Sequence, residues 1–389
     1  MKISLSEVLD FGNMPIANAF LSPAEFPQEF FYRMVLGYDP SNAAIGLIHT
    51  VPREKMFHDQ YAFFSSTSRY MIKHFSETAS HLRSFVRGGI VVEIGSNDGV
   101  MLEAWEALGV TAVGVEPSGN VANVSRSKGH RVISEFLSPA VVTEITDIGN
   151  VDVVFAANVS CHVENIEEYA ELIASMIGTN GVFVFEDPYF IDIYEKTSYD
   201  QIYDEHIWYF TVAFINNLFR PLGYHVFHAE HISVHGGELR MYVGHQSTHP
   251  VQQSVDPWIQ KEQHLDQKLR EFVGNVERSK SELVRMLTAL KSENKKMCGF
   301  GASSKGVIVA NYCGIGPDLI PFITDNTPIK QGKYYPGVHI PIVPQERFGD
   351  VDVAVLFAWN HLEEINATQQ AFRDRGGKWL THVPQPRML

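Results

Sequence analysis

The sequence predicts an α/β protein built on two mainly parallel, doubly wound sheets. Three observations lead there. Between residues 89 and 186 short apolar runs alternate with amphipathic segments, the rhythm of parallel strands joined by crossover helices. The same rhythm restarts after residue 296. The chain's 389 residues, 45% of them apolar, also exceed what one hydrophobic core usually organises, so two or three domains are expected.

Residues 1–67 are proline-punctuated and aromatic-rich and show no long periodic segment, so they read as a small irregular lobe. A helix follows over 66–85, with Met71, His74, Phe75 and Leu82 on one side. The apolar run 90–94 is a strand ending on a glycine-rich turn. Next come a helix over 101–108, a strand over 111–115, a helix over 120–128 and a strand over 151–156. Helix 166–177 leads through Gly178 and Gly181 into strand 182–186. After residue 224 the rhythm changes: 224–232 and 238–243 read as an antiparallel pair at the sheet's edge, joined through Gly236 and Gly237. The polar stretch 245–257 is the linker candidate, and its His245 and His249 are expected to be solvated. From 258 to 296 Leu265, Leu269, Phe272, Val276, Leu283, Met286 and Leu290 keep three-to-four spacing, which predicts one long packed helix. Strand 296–300, a helix from Lys305, and strands 319–324 and 351–357 then form a second Rossmann-like unit.

A formal charge of −14 and a pI near 5.6, with no basic stripe, argue against a nucleic acid polymer and for a small-molecule ligand. Cys161, Cys298 and Cys313 are too few and too scattered for a disulfide framework or a thiolate cluster, which suits a reducing cytoplasm. No signal-like start and no apolar run of about 18 residues is present, so no membrane association is expected.

Gly95, Ser96, Asn97, Asp98 and Gly99 stand where strand 90–94 feeds its helix. Glycine at 95 permits a tight turn and lets a ligand lie against the backbone, while Glu93 can orient the loop or hold a cationic group. Twenty-one residues after Gly95 comes Glu116, followed by Pro117, at the end of the next strand. A carboxylate there accepts hydrogen bonds from the ribose hydroxyls of an adenosine ligand. Dinucleotide and S-adenosylmethionine sites share this layout. The dinucleotide fingerprint needs glycine where the pyrophosphate meets the helix, and here Asn97 and Asp98 occupy that place. A carboxylate repels a pyrophosphate and suits a sulfonium and an amino group, so S-adenosylmethionine is the favoured cofactor.

Tyr203, Asp204, Glu205 and His206 follow strand 182–186, and the segment from Asn158 to His162 closes the strand before it. Both lie at the carboxyl edge of the sheet, where open α/β sheets bind ligands. His162, Tyr203, Glu205 and His206 can therefore converge.

The runs VVEIGSNDGVMLEAW, SYDQIYDEHIWYF, HGGELRMYV and GFGASSKG resemble those of the NDP-hexose C-3 methyltransferases, which install the branched methyl of mycarose- and tetronitrose-type sugars. The similarity runs from about Leu9 to the C-terminus. It implies a class I methyltransferase (Rossmann-like) sheet domain over 68–247, flanked by a small N-terminal lobe over 1–67 and a C-terminal Rossmann-like domain over 248–389 that grips the nucleotide-sugar. The implied reaction removes a proton from C3 of a dTDP- or GDP-linked 4-keto-6-deoxy hexose and sends the carbanion onto the methyl group of S-adenosylmethionine. Such chemistry needs a base of near-neutral pKa and donors around the C4 oxygen. In the family's pattern His206 matches the base, Tyr61, Tyr203 and His162 match polar residues of the sugar site, and Glu205 is placed to orient an imidazole or bind a hydroxyl.

The family carries four zinc-binding cysteines in its N-terminal lobe. This chain has none before Cys161, and an ungapped alignment sets Asp39 and Asn42 at the second pair. Four soft thiolates make a structural zinc site, so no zinc is expected.

The turn from Gly299 through Gly301, Ser303, Ser304 and Lys305 to Gly306 enters a helix and makes a credible anion seat. The resemblance assigns it the diphosphate. Asp325, Lys330, Trp359, Asn360 and His361 at the ends of later strands, and Arg240, are further candidates for nucleotide contacts. Two alternatives stay open at this point: an NAD(P)-dependent nucleotide-sugar oxidoreductase using this turn, and a non-catalytic nucleotide-sugar-binding protein.

Overall fold

A computed structural model of the chain describes residues 2–52, 56 and 64–389. Three sheets organise it. The first is antiparallel, with β1 (Ser6–Pro15), β2 (Phe31–Asp39) and β3 (Ala44–Leu47) in that order. The sequence reads as irregular here because register shifts between Glu7 and Leu9 and between Asp10 and Gly12 break the period-two pattern. Consecutive burial of Met34, Val35 and Leu36 hides it further, since both faces of β2 are covered.

At the positions where the family's thiolates align, Asn42 Nδ2 donates to Asp39 Oδ2 at 2.7 Å. The Asp39 carboxylate also accepts from the backbone of Ser4 (3.0 Å) and Ser41 (2.9 Å). Burial would raise its pKa, but these hydrogen bonds outweigh it and hold the carboxyl below its ordinary value.

The second sheet contains β4 (Ile90–Ile94), β5 (Ala112–Val115), β6 (Val132–Ile133), β7 (Val151–Ala157), β8 (Val182–Pro188), β9 (Tyr224–Ile232) and β10 (Glu238–His245). Their order is β6-β5-β4-β7-β8-β10-β9, with β10 antiparallel to both neighbours and the rest parallel. It is packed with helices α1 (Arg69–Leu82), α2 (Val100–Ala107), α3 (Gly119–Ser127), α4 (Pro139–Ile148), α5 (Ile166–Ile177), α6 (Phe190–Lys196) and α7 (Val212–Phe219). The chain starts at β4 in the middle, winds out to β6, then crosses back to β7. The loops after β4 and β7 therefore diverge, and that switch point opens a crevice at the carboxyl edge. This is the class I methyltransferase sheet that the sequence predicts.

The expected single helix over 258–296 is two: α8 (Asp256–Lys261) and α9 (Leu265–Ser292). His264 takes a left-handed φ of 62° at the break. The break has a use, because Glu262 inside it accepts the N–H groups of Val212 (2.7 Å) and Ala213 (2.8 Å) at the start of α7 and the hydroxyl of Tyr189 (3.0 Å). His249 is buried, not solvated: its ring stacks on Phe227 at 4.8 Å and fills the space above Gly244.

The third sheet holds β11 (Met297–Phe300), β12 (Ile323–Thr324), β13 (Ile342–Val343), β14 (Val353–Leu356), β15 (Lys378–Thr381) and β16 (Arg387–Met388), ordered β13-β12-β11-β14-β15-β16. Helices α10 (Ser304–Cys313), α11 (Leu362–Thr368) and α12 (Gln370–Asp374) complete it. Among the described residues no helix is long and apolar enough to cross a membrane.

Candidate active site

One cavity of about 1550 Å³ runs from the β4/β7 switch point to the first turn of α10. Its first end is built on the turn after β4. Gly95 (φ +71°) and Asn97 (φ +48°) adopt left-handed backbone there, and a Cβ on Gly95 would stand 2.3 Å from Val159 Cγ2. Glycine is thus required at 95 both for φ and for space. Asn97 donates its backbone N–H to Glu116 Oε2 (3.0 Å), and Ser118 donates its own to Oε1 (2.8 Å). These two N–H groups oppose the burial that raises Glu116.

Glu93 lies on the same wall, 4% exposed, and its Oε2 makes no hydrogen bond among the described residues. Burial, then the charges of Glu116 and Asp98, push its carboxyl well above the ordinary value. The wall thus offers an orphaned carboxyl beside a second one, which is the chemistry that holds a ligand cation. Pro117 and Asn158 line this end too.

Asp98 and Gly99, expected among the ligand contacts, stand behind the wall. The Asp98 carboxylate is fully buried and accepts the backbone N–H of Ser66 (3.3 Å), with Lys128 Nζ 3.9 Å away. It ties the turn to the start of α1. Sequence reasoning missed Glu135, Phe136 and Leu137, which line the cavity just after β6. A two-residue strand carries too little periodicity to mark its end.

In the middle of the cavity stand His162, Tyr203, Glu205 and His206. Tyr203 Oη and His206 Nε2 are 2.9 Å apart, and the His162 and His206 rings lie 5.3 Å apart, nearly parallel. Burial holds His162 down to about 4, so its ring is neutral near pH 7. The backbone after His206 is fixed on two sides. Cys161 O accepts from Ile207 N (2.8 Å) and Trp208 N (3.1 Å), while Leu47 N donates to Ile207 O (2.8 Å) and Tyr209 N to Ile45 O (2.9 Å). The first lobe's β3 thereby pairs with the segment that carries His206.

Asp204 is wholly buried and lifted to about 8 by burial and by the neighbouring Glu205, with the backbone N–H of Ala17 on Oδ1 (2.9 Å) opposing. Burial raises Glu205 as well, against a hydrogen bond from Asn18 Nδ2 to its Oε1 (2.6 Å). Asp187, beneath this group, is pushed up to about 7 by burial and accepts from Cys161 N (3.3 Å). Ligand atoms of Cys161, His162 and His206 lie within 4.8 Å of one another. Burial, then Asp187, push the Cys161 thiol far up, which disfavours the thiolate a metal would take. Tyr61 lies outside the described residues.

The far end is lined by Ser303, Ser304 and Lys305 from the start of α10, and by Lys330 and Asn360. Ser303 caps α10 by accepting from Gly306 N (3.1 Å). Lys330 Nζ donates to Ala302 O (2.7 Å), and Lys305 Nζ sits 5.0 Å over the Trp359 ring. Gly301, Asp325 and Trp359 stand behind the wall. Asp325 accepts from Ala302 N (2.6 Å) and Thr327 N (2.7 Å), and so shapes the turn. The Trp359 indole donates to Asp200 (2.7 Å).

Arg240 does not reach the cavity. Its guanidinium is buried between Glu186 (2.6 Å) and Glu230 (2.9 Å), with Thr78 Oγ1 at 2.8 Å, so two carboxylates already neutralise it. Asn18, Asn326, Lys333 and His361 also line the cavity, and of these the sequence reading named His361 alone.

Residues 68–229 match the family described as a methyltransferase domain, and residues 233–384 the one described as a C-methyltransferase C-terminal domain. C-methyltransferase NovU of Streptomyces niveus is 28% identical over 395 residues, spanning 98% of this chain and 94% of that one. Among solved structures, a SAM-dependent methyltransferase of Thermotoga maritima described as a possible histamine N-methyltransferase is 16% identical, covering 46% of this chain and 92% of its own at a TM-score of 0.34. The CcbJ methyltransferase of Streptomyces caelestis is 12% identical, with 44% and 89% covered at a TM-score of 0.35.

Proposed function

We propose that this chain, which resembles C-methyltransferase NovU over nearly its whole length and matches a methyltransferase-domain model and a C-methyltransferase C-terminal model, transfers a methyl group from S-adenosylmethionine to C3 of a nucleotide-linked 4-keto-6-deoxy hexose. The observation that supports this reading is a continuous cavity, acidic at the β4 turn, lysine-bearing at α10, with an imidazole and phenol pair between.

When bound, S-adenosylmethionine supplies the methyl group and leaves as S-adenosylhomocysteine. Gly95, Asn97, Pro117 and Asn158 shape its seat, Glu116 takes the ribose hydroxyls, and Glu93 faces the cationic part. His206 removes the C3 proton, with Tyr203 fixing its ring through Nε2. A C3 proton is acidic only while charge builds on the C4 oxygen, so a donor must face that oxygen. His162, kept neutral by burial, is such a donor, because a neutral imidazole gives a hydrogen bond without first surrendering a proton. Tyr61 belongs to the same group in the family's pattern. Lys305, Lys330, Ser303, Ser304 and Asn360 hold the diphosphate end, a fitting task for a capped helix start flanked by ammonium groups. The sugar is then held between two fixed ends, as transfer in line requires.

The test is direct. Incubated with S-adenosylmethionine and either dTDP- or GDP-4-keto-6-deoxyhexose, the enzyme yields a product with a new methyl at C3, read by NMR. With S-adenosylhomocysteine in place of the donor and D2O as solvent, the C3 proton exchanges. His206→Ala loses both activities by about 100-fold or more. Full turnover by His206→Ala removes its assignment as base, and an inert wild-type enzyme removes the sugar reading.

A further inference from the structure

Besides the β3 pairing, the N-terminal lobe meets the reacting end of the cavity through the turn after β1. After β1 the chain folds back through residues 16–19, with Ala19 N donating to Ile16 O at 3.2 Å. Ala17 N in that turn donates to Asp204 Oδ1, and the side chain of Asn18 donates to Glu205 Oε1 at 2.6 Å. Asn18 is exposed and lines the cavity, as Glu205 does.

Glu205 is 6% exposed, and that surface faces the cavity. The Asn18 amide on Oε1 opposes the burial that raises this carboxyl and fixes its orientation. Among the described residues this is the one hydrogen bond made by the Glu205 side chain. A carboxyl oxygen accepts a hydrogen bond from a sugar hydroxyl, so the orientation of this group decides which hydroxyl it can hold.

We propose that Asn18 is a positioning residue of the transfer reaction, holding the Glu205 carboxylate in the pose that accepts a hydroxyl of the keto-sugar beside His206. The proposal rests on the reading of the cavity as a keto-sugar methylation site. It gives the N-terminal lobe a part in the chemistry that depends on neither thiolates nor metal.

The test compares full-length wild type with Asn18→Ala and Asn18→Gln, using dTDP- and GDP-4-keto-6-deoxyhexose as substrates. Asn18→Ala lowers kcat/KM by about 10- to 100-fold, the range for losing a hydrogen bond to a charged group. Asn18→Gln, which keeps the amide on a longer stem with the cavity to receive it, recovers most of the loss. Affinity for S-adenosylhomocysteine, bound at the far side of His206, and the thermal midpoint stay at wild-type values in both. The proposal is overturned if Asn18→Ala turns over like wild type. It is overturned equally if both variants lose activity together with S-adenosylhomocysteine affinity and thermal midpoint, since the turn is then only structural. A wild type inert toward both sugars removes the sugar reading itself, and this proposal with it.

Discussion

Glu93 carries the sharpest expectation for a single residue. Burial and two neighbouring acids push its carboxyl well above the ordinary value. A cation binds the ionised form, so affinity for S-adenosylmethionine rises with pH as Glu93 loses its proton. S-adenosylhomocysteine has the same amino group and no sulfonium, so its affinity changes less. The ratio of the two affinities, measured by calorimetry between pH 6 and 9, should therefore move toward S-adenosylmethionine with rising pH. In Glu93→Gln that drift disappears. The sequence marks Glu93 and Glu116 through the apolar runs of β4 and β5 that lead into their turns. It misplaced Asp98 and Arg240, whose partners Ser66, Glu186 and Glu230 lie on other elements and leave no local sign.

Among the elements, β3 has a task out of proportion to its four residues. Its pairing with 207–209 sets the backbone on which His206 stands. Gly46 makes that approach possible: a Cβ there would meet Ile207 O and the Trp208 ring at 2.7 Å each. Gly46→Val should thus cost about 1–3 kcal/mol of stability by overpacking and displace the 207–209 segment. Its kcat should fall while S-adenosylhomocysteine affinity holds, since the β4 turn lies elsewhere. Binding and turnover measured on the same sample check this. β4, β5, β7 and β8 of the second sheet were legible because each is an apolar run bounded by turn residues, while the two-residue β6 was not. β1 to β3 were not, since bulges and two-sided burial erase the alternation a reader looks for, and the helix break at 262–264 follows from a tertiary duty of Glu262 that no helical pattern encodes.

At the scale of the whole molecule, several buried acids set the response to pH. Burial lifts Asp187 and Glu262 to about 7 and Asp204 to about 8. Between the unfolded value near pH 4 and these values the folded chain binds more protons than the unfolded one, so stability falls as pH rises through that window. The thermal midpoint of the ligand-free protein should be higher at pH 6 than at pH 8.5, and a midpoint that rises over that interval contradicts the assignment. Contacts between the sheets were the least legible part. Asn18 meets Glu205 across 187 positions, and Leu21 pairs with Tyr334 through N–H···O bonds of 3.2 and 2.8 Å. A single sequence fixes which segments fold, and says little about which distant turns finally touch.

One such contact makes the molecule observable. Trp359, behind the cavity wall on the third sheet's side, gives its indole N–H to Asp200, which follows α6 on the second sheet's side and also pairs with His382 at 3.1 Å. Indole emission shifts when that N–H exchanges a buried carboxylate for water. The chain therefore carries one of its five fluorophores at the seam between the two sheets, and the difference in emission between wild type and Trp359→Phe reports the environment of that seam in unlabelled enzyme.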